Sequence, residues 1–180
     1  MLKGFDAINA SESKNVQLKL KNGESAVIRI LSIEEVVSFY EHADNINGRW
    51  HYFACLGKGC PACEEGGYAS YKCAVPVLDV KENVVKIFKM SRKTTKALKD
   101  FMKEYPDFMD RDIKVTRQGT SSDTVYLFYA RDVKPMDVSE FELPDMEEAT
   151  AKYSKEQIIN LFNNTAEEPS EDESDDGFPF

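Results

Sequence analysis

The sequence predicts a mainly β protein whose body is a small five-stranded barrel. Short segments of alternating apolar and polar residues recur between residues 16 and 129, and turn-forming residues separate them. One helix interrupts the series late, because Thr94 or Thr95 can cap a helix that runs through Lys103 and ends at Pro106. Five or more strands with one helix between the later ones are typical of an OB-fold.

The individual strands follow from these alternations. The first two are expected on either side of Asn22 and Gly23, a pair that favours a tight hairpin turn. The third is expected to stop where a polar stretch begins at Glu41. The predicted strands cover residues 16–20, 26–31, 36–40, 74–80, 84–90, 113–116 and 125–129, with a second hairpin turn at residues 81–83. Residues 49–54 lead into the cysteine-containing segment.

Charge divides the chain into a body and an acidic C-terminal part. Residues 1–136 carry 21 basic and 18 acidic side chains, whereas residues 137–180 carry 2 and 14. The slight positive excess of the body can bind a polyanion if the basic groups share one face. No apolar run reaches 18 residues and no signal peptide is recognisable, so we expect a cytoplasmic protein without a membrane span.

The same division predicts three segments. We expect a single domain over residues 1–135, an acidic linker with a short helix over residues 136–165, and a disordered acidic tail over residues 166–180. Ser154 and Gln157 form a capping box ahead of an apolar run, which predicts the short helix. That helix either docks on the barrel or contacts another protein.

One histidine and three cysteines are crowded into a short segment. They are His42, Cys55, Cys60 and Cys63, with two glycines between the first two cysteines. Cys3His is a standard ligand set of structural zinc, and a Cys-x-x-Cys step lets two thiolates reach one metal. We therefore predict a closed zinc site in a subdomain over about residues 42–72, whose binding energy helps to fold that segment.

Other arrangements of these side chains are open at this point. Four cysteines can form two disulfides, although nothing indicates an oxidising compartment. Cys60 and Cys63 can be a thioredoxin-type redox pair, although the double glycine that follows argues against the long helix such a pair needs. His51 is a rival to His42 as the fourth ligand. Cys73 is a further rival, but it lies in an apolar run that predicts a buried core thiol.

The chain ends in an acidic tip with aromatic residues. Residues 166–180 contain seven acids and no base before the last two phenylalanines. A terminal Phe presents a ring beside a free carboxylate, which suits an apolar pocket rimmed by Lys or Arg on a partner. The predicted partner-binding residues are Asp175, Asp176, Phe178, Pro179 and Phe180.

The cysteine-containing segment resembles the zinc subdomain of the T-even phage single-stranded DNA-binding protein family. Members of that family carry a His, an Asn-Gly-Lys/Arg-Trp turn and a first Cys at the spacing seen here for His42, residues 47–50 and Cys55, and a Cys-Pro-x-Cys follows. The likeness extends over about residues 16–135, and it favours His42 over His51 as the metal ligand. It implies an OB-fold, a zinc cofactor and binding of single-stranded DNA without sequence preference.

The resemblance has a second part and two departures. The tip from Asp175 to Phe180 is similar to the C-terminal tip of bacterial single-stranded DNA-binding proteins. The basic N-terminal arm of the phage family, which mediates cooperative binding, has little counterpart, because residues 1–6 offer a single Lys. The gap between Cys55 and Cys60 is also shorter than in the phage proteins, so we expect a more compact knuckle.

Single strands are held by cationic grooves and by aromatic faces on which bases stack, at about 1–3 kcal/mol per base. In the last predicted strand, Tyr126 and Phe128 share one face, and we expect Val125 and Leu127 to take the core instead. The candidate DNA-contacting residues are Arg49, Trp50, Tyr52, Lys58, Tyr71, Lys72, Phe88, Lys89, Arg92, Lys93, Tyr126, Phe128 and Arg131.

The expected function is therefore the coating of single-stranded DNA during replication, recombination or repair. Expected partners are a polymerase, a helicase loader or a recombinase, together with self-association on DNA. No phosphate-binding GxxxxGK, nucleophile elbow or opposed carboxylate pair indicates an enzyme. Two other classes stay open: a zinc-ribbon adaptor or transcription regulator, and a thiol oxidoreductase that uses Cys60 and Cys63.

Overall fold

The computed structural model describes residues 17–163, and a mainly antiparallel β architecture dominates them. The strands are β1 (Ser25–Ile30), β2 (Val37–Ile46), β3 (Arg49–Ala54), β4 (Ala69–Asp79), β5 (Val84–Ser91), β6 (Arg111–Gln118) and β7 (Val125–Val133). The helices are α1 (Pro61–Glu64), α2 (Arg92–Glu104), α3 (Met146–Ala149) and α4 (Lys155–Asn163), and short 3-10 turns occupy Phe108–Asp110 and Ser121–Asp123. The mainly β prediction is confirmed.

Within residues 17–163, the seven strands form one sheet, and β4 has the most strand partners in it. The first half of β4 pairs with β2 and its end pairs with β1, while β5 covers the other edge of β4. β6 and β7 continue the sheet beyond β1. The path β5-β4-β1-β6-β7, with α2 between β5 and β6, is OB-like, and the β2–β3 hairpin and α1 are inserted between β1 and β4.

The sheet curves around its core but is not closed by strand pairing among the described residues. At the open side, the ring of Phe88 on β5 lies 5.3 Å from that of Tyr126 and 6.4 Å from that of Phe128, both on β7. Helix α2 packs against β7 and contributes Leu98 and Phe101 to the same core. Side-chain packing therefore takes the place of the hydrogen bonds that would complete a five-stranded barrel.

The predicted first hairpin is wrong. The turn exists, because the Glu24 amide donates to the Lys21 carbonyl at 3.0 Å, but residues 17–20 do not pair with β1. Both edges of β1 are taken by β4 and β6. The Leu18 amide donates instead to the Ile87 carbonyl at 2.8 Å, so this segment lies along β5 and turns Leu18 and Leu20 into the core.

Two further boundaries differ from the prediction. β2 continues through the polar residues 41–46, because β3 supplies a partner for each of them after a turn at Asn47 and Gly48, both with positive φ. Helix α2 begins at Arg92 rather than after Thr94, since the Ser91 hydroxyl accepts a hydrogen bond from the Thr94 amide at 3.3 Å.

Residues 134–163, which we call the strap, cross the outer face of the sheet. The Lys134 carbonyl accepts from Arg29, and Met146 and Ala149 pack on Ala74 and Ile87. The predicted capping box is confirmed, since the Ser154 amide donates to Gln157 Oε1 at 2.8 Å and the Gln157 amide donates to Ser154 Oγ at 3.2 Å. α4 docks against α1, which answers the question left open by the sequence.

Two further predictions concern the C-terminal tail and the absence of a membrane span. The tail at residues 166–180 lies outside the described residues. In the part of the chain that the structure covers, no helix is long and apolar enough to cross a membrane.

Candidate functional site

The four predicted ligands come together between the β2–β3 hairpin and α1. The hairpin register sets His42 opposite Phe53, and Cys55 follows the end of β3 directly. The two glycines of the loop, Gly57 and Gly59, have φ of 79° and 76°, a conformation that side chains rarely adopt, and they bend the chain back. Cys60 then precedes α1 and Cys63 lies within it.

The distances between the ligand atoms fit one tetrahedral metal ion. Cys55 Sγ lies 3.6 Å from Cys63 Sγ, and His42 Nε2 lies 3.6 Å from Cys60 Sγ and 3.4 Å from Cys63 Sγ. All four atoms lie within 4.8 Å of one another. Tetrahedral bonds of zinc to sulfur and nitrogen require separations of about 3.5–3.8 Å. The four residues can therefore hold a metal ion, and the geometry is compatible with zinc.

The surroundings of His42 fix its ring. The imidazole is fully buried and stacks on Phe53 with a centroid separation of 5.4 Å. Nε2 faces the thiols, while Nδ1 is buried without a hydrogen-bond partner among residues 17–163. A Cβ added to Gly67 would lie 3.4 Å from Nδ1 and only 2.7 Å from the Ala62 carbonyl oxygen. Gly67 therefore lets the chain close tightly behind the ligand.

The pKa values of Cys63 and Cys60 are shifted in opposite directions. The hydrogen bond shared with Cys55 raises the pKa of Cys63 to about 11, and burial adds to the effect. For Cys60, burial by itself raises the pKa, but backbone hydrogen bonds at Leu56, Cys63 and Ala62 together outweigh it, and the pKa is lowered. A metal ion bound by thiolates must therefore displace protons, above all from Cys63.

The strap completes the walls of this site. Ile158 of α4 is fully buried in a cluster with Phe53, Cys60 and Ala62. Tyr153 stacks on Phe53, whose ring also stacks on His42. The ring centroids of Tyr153 and Phe53 are 5.6 Å apart, and their planes differ by 12°. The hydrophobic packing around two ligands thus comes from a segment about one hundred residues further along the chain.

The rival ligands lie elsewhere. His51 belongs to β3, where it pairs with Asp44, and it is not a member of the ligand cluster. Cys73 is 5% exposed in the barrel core, and burial raises the pKa of its thiol. The prediction of a buried core thiol is confirmed.

One group of predicted contact residues shares the outer face of the sheet, and we call it the outer patch. It consists of Trp50, Tyr52, Lys72 and Lys89, whose register positions point to the same side. Trp50 is 60% exposed and Tyr52 is 49% exposed. The Lys89 ammonium lies 5.8 Å from the centre of the Tyr52 ring, within cation–π range.

A buried carboxylate holds the cations of the outer patch in place. Glu41 is 3% exposed, forms a short ion pair with Lys89, and lies 3.8 Å from Lys72. Two cations share this single carboxylate, so the patch keeps a positive excess while its lysines are ordered. The sequence offered no signal for this role of Glu41, because its partners are 31 and 48 residues away.

A second group of contact candidates points to the opposite face. Tyr71 pairs with Tyr40 across β4 and β2, with ring centroids 6.1 Å apart. The Arg92 guanidinium lies 4.6 Å from the centre of the Tyr71 ring and donates to the Tyr40 hydroxyl at 3.2 Å. Tyr40 is 51% exposed and was missed at the sequence level, although its strand was predicted.

Three predicted stacking residues pack in or against the core instead. Phe88 is 1% exposed, because its side of β5 faces the barrel interior. Tyr126 and Phe128 pack against it from β7, so the expected assignment of faces in this strand is wrong. The open side of the sheet needs large rings to fill the gap, and these three supply them.

The remaining predicted residues are dispersed. Arg49, Lys58 and Lys93 are exposed in β3, in the cysteine loop and at the start of α2. Arg131 is exposed on β7, beside a groove at a different part of the barrel. The partner-binding candidates Asp175, Asp176, Phe178, Pro179 and Phe180 lie outside the described residues.

No protein-family model matches the chain, and no curated protein matches it in sequence.

Proposed function

We propose that this chain is a non-catalytic, sequence-nonspecific single-stranded DNA-binding protein stiffened by zinc. The observation that carries the proposal is the outer patch, in which exposed rings and ordered cations alternate on an OB-like sheet. Each base has a π-face that can stack on Trp50 or Tyr52, while Lys72 and Lys89 attract the phosphates between bases. Neither contact depends on base identity, which accounts for binding without sequence preference.

The metal centre supports this surface mechanically. His42 and Cys55 tie both strands of the hairpin that carries Trp50 and Tyr52 to the knuckle. Zinc suits the donor set, because Cys3His is one of its standard structural combinations and leaves no position for a substrate. The bound ion would neutralise thiolate charge and hold the hairpin at one angle to the barrel.

The C-terminal tip extends the proposal to partners. Its acids and terminal Phe suit a basic, apolar pocket on a replication or recombination protein such as a polymerase, helicase loader or recombinase. In the absence of DNA, the same acids would compete for the cations of the body. Such a protein would work in the cytoplasm of the cell in which the DNA is copied.

Trp50 is the only tryptophan in the sequence, so its fluorescence reports directly on the proposed site. Oligothymidylates of increasing length are titrated into the zinc-loaded full chain at low and high salt. We expect quenching of Trp50 and an affinity that rises with length and falls steeply with salt. Trp50→Ala, followed by anisotropy of labelled DNA, should weaken binding roughly 5- to 150-fold.

Ile33→Ala is the matched control, because Ile33 is also exposed and apolar but lies in the loop after β1. It should leave DNA affinity unchanged. Weak, length-independent binding by a zinc-loaded chain would favour the zinc-ribbon adaptor or transcription regulator. Dithiol turnover by a chain that binds no metal would favour the thiol oxidoreductase. Either result would overturn the proposal.

A further inference from the structure

A polar groove opens on a part of the barrel that the proposed function does not use. β4 pairs with β1 only over residues 28–30, and one more hydrogen bond joins the Val80 amide to the Val27 carbonyl at 2.9 Å. Beyond that point β1 has no neighbour from β4, and residues 18–20 form the other side of the gap. The result is a cavity of about 490 Å³, within the size range of small-ligand sites. We call it the β1 groove.

The charges that line the β1 groove are unevenly balanced. Five cations and three carboxylates contribute to the lining. Two of the carboxylates, Asp79 and Glu82, are engaged by Lys86 at 2.9 Å and 2.5 Å. The third, Glu24, accepts a hydrogen bond from the Lys21 amide at 2.7 Å. Lys86 is shared by two of these carboxylates and an amide hydrogen bond leaves the charge of Glu24 in place, so the lining as a whole carries two more positive than negative charges.

The other four cations are not paired in this way. They are Lys19, Lys81, Lys114 and Arg131, and none has a carboxylate within ion-pair distance among residues 17–163. They come from the first segment, the β4–β5 turn, β6 and β7, so only the folded chain brings them together. A concave site with an excess of positive charge favours an anion, and Arg adds a planar fork that suits phosphate oxygens.

An aromatic ring lies beside these cations. Tyr129 of β7 is 49% exposed, and the Lys114 ammonium lies 6.0 Å from the centre of its ring. A phosphate held by the groove cations would thus have a stacking face for an attached base. This combination repeats the chemistry of the outer patch on separate residues.

We propose that the β1 groove is a second site for phosphate-bearing ligands, distinct from the outer patch. The phosphates belong either to the backbone of a bound nucleic acid strand or to a free nucleotide. In the first case the site rests on the proposed function and deepens it, because the groove cations add phosphate contacts to those of the outer patch.

The test compares two doubly neutralised full-length chains. Lys19→Gln with Arg131→Gln removes two groove cations, and Lys103→Gln with Lys155→Gln removes two exposed cations from α2 and α4. Each zinc-loaded chain is titrated with inorganic pyrophosphate, with dTTP and with oligothymidylates over a range of salt concentrations. Thermal melting checks that each chain is folded.

If the ligand is a free nucleotide, pyrophosphate and dTTP bind the unchanged chain, and the groove variant alone weakens both at least about 5-fold. If the ligand is the strand backbone, neither small anion binds, and the groove variant alone lowers the slope of log affinity against log salt by about 1.4, the value for two lost contacts on single strands. Equal behaviour of the two variants in every titration would overturn the proposal.

The outcome is separable from that of the proposed function. If the ligand is a free nucleotide, Trp50→Ala leaves pyrophosphate binding unchanged, because the two sites are distinct. If Trp50→Ala leaves DNA affinity unchanged while the groove variant still differs from its control, the proposed function fails and the groove proposal stands. If Trp50→Ala weakens DNA binding while the groove variant behaves like its control, the groove proposal fails and the proposed function stands.

Discussion

Tyr153 of the strap stacks on Phe53, and the same ring of Phe53 contacts the metal-ligand candidate His42. The three rings link the C-terminal strap to the ligand cluster through the end of β3. Because Ile158 also packs on Cys60, the strap and the metal centre share one small core. Metal binding and docking of α4 should therefore stabilise each other.

The first prediction concerns a ligand. Cys60→Ser removes a buried thiolate, so the chain should lose its bound metal, melt at a lower temperature and release α4. Metal content by elemental mass spectrometry and hydrogen exchange in α4 measure these effects. Cys73→Ser is the control, since Cys73 is equally a buried thiol but is not in the cluster. It should lower stability and keep the metal. Full metal content in Cys60→Ser would contradict the ligand assignment.

The second prediction tests the shared core from the side of the strap. Ile158→Ala should cost about 2–5 kcal/mol of unfolding free energy, because Ile158 is fully buried. It should also weaken metal affinity, measured by competition with a chelator. Its neighbour Ile159 is 37% exposed, and Ile159→Ala should change both quantities little. Unchanged metal affinity in Ile158→Ala would show that the strap and the metal centre are independent.

The third prediction concerns a buried ion pair that joins β1 to β6. Arg29 is fully buried and donates from Nε and Nη2 to Asp112 at 2.8 Å and 2.6 Å, while Nη1 donates to the Lys134 carbonyl. Asp112→Ala should destabilise the fold by about 3–5 kcal/mol in urea titrations, because the guanidinium loses its counter-charge. Asp100→Ala breaks an exposed pair with Lys103 and should cost less than about 1 kcal/mol. Similar losses in the two variants would argue against a special role for Arg29.

The fourth prediction is a pH dependence. Burial raises the pKa of Asp79, but the hydrogen bond from Lys86 and those from the Glu82 and Lys81 amides outweigh it and hold the pKa below its ordinary value of 3.8. A carboxyl whose pKa is depressed by folding contributes stability at neutral pH and loses it as the pH falls through the folded-state pKa. The stability difference between the unchanged chain and Asp79→Asn should therefore be full at neutral pH and shrink below about pH 4. A difference independent of pH in urea titrations would refute this role.

The fifth prediction rests on the proposed function and addresses the C-terminal tip. Removing residues 166–180 deletes seven acids, so affinity for oligothymidylates should rise at low salt, where charge competition is strongest. Phe180→Ala keeps every acid and should leave DNA affinity unchanged. Equal affinities of the shortened and complete chains in low salt would remove the idea that the tip competes with DNA.

The sequence by itself determined the β class, the late helix, the capping box of α4 and the four members of the ligand cluster. These features depend on local spacing: ligands within about two dozen residues, alternation along a strand, or side chains three residues apart on a helix. Trp50 and Tyr52 were also identifiable as contact candidates, because they follow the basic Arg49 closely in the sequence.

Only the tertiary structure decided which face each strand turns to the core and what covers the other. Alternation shows that Tyr126 and Phe128 share a side, but the open edge beside Phe88 makes that side the interior. Residues 17–20 leave the predicted hairpin because β4 and β6 occupy both edges of β1. The burial of Arg29 likewise depends on segments that are far apart in the chain, and so does the packing of the strap on the metal centre. Local patterns depend on residues that are close in sequence. Burial depends on which distant segment packs on a given face, because that contact removes apolar surface from water.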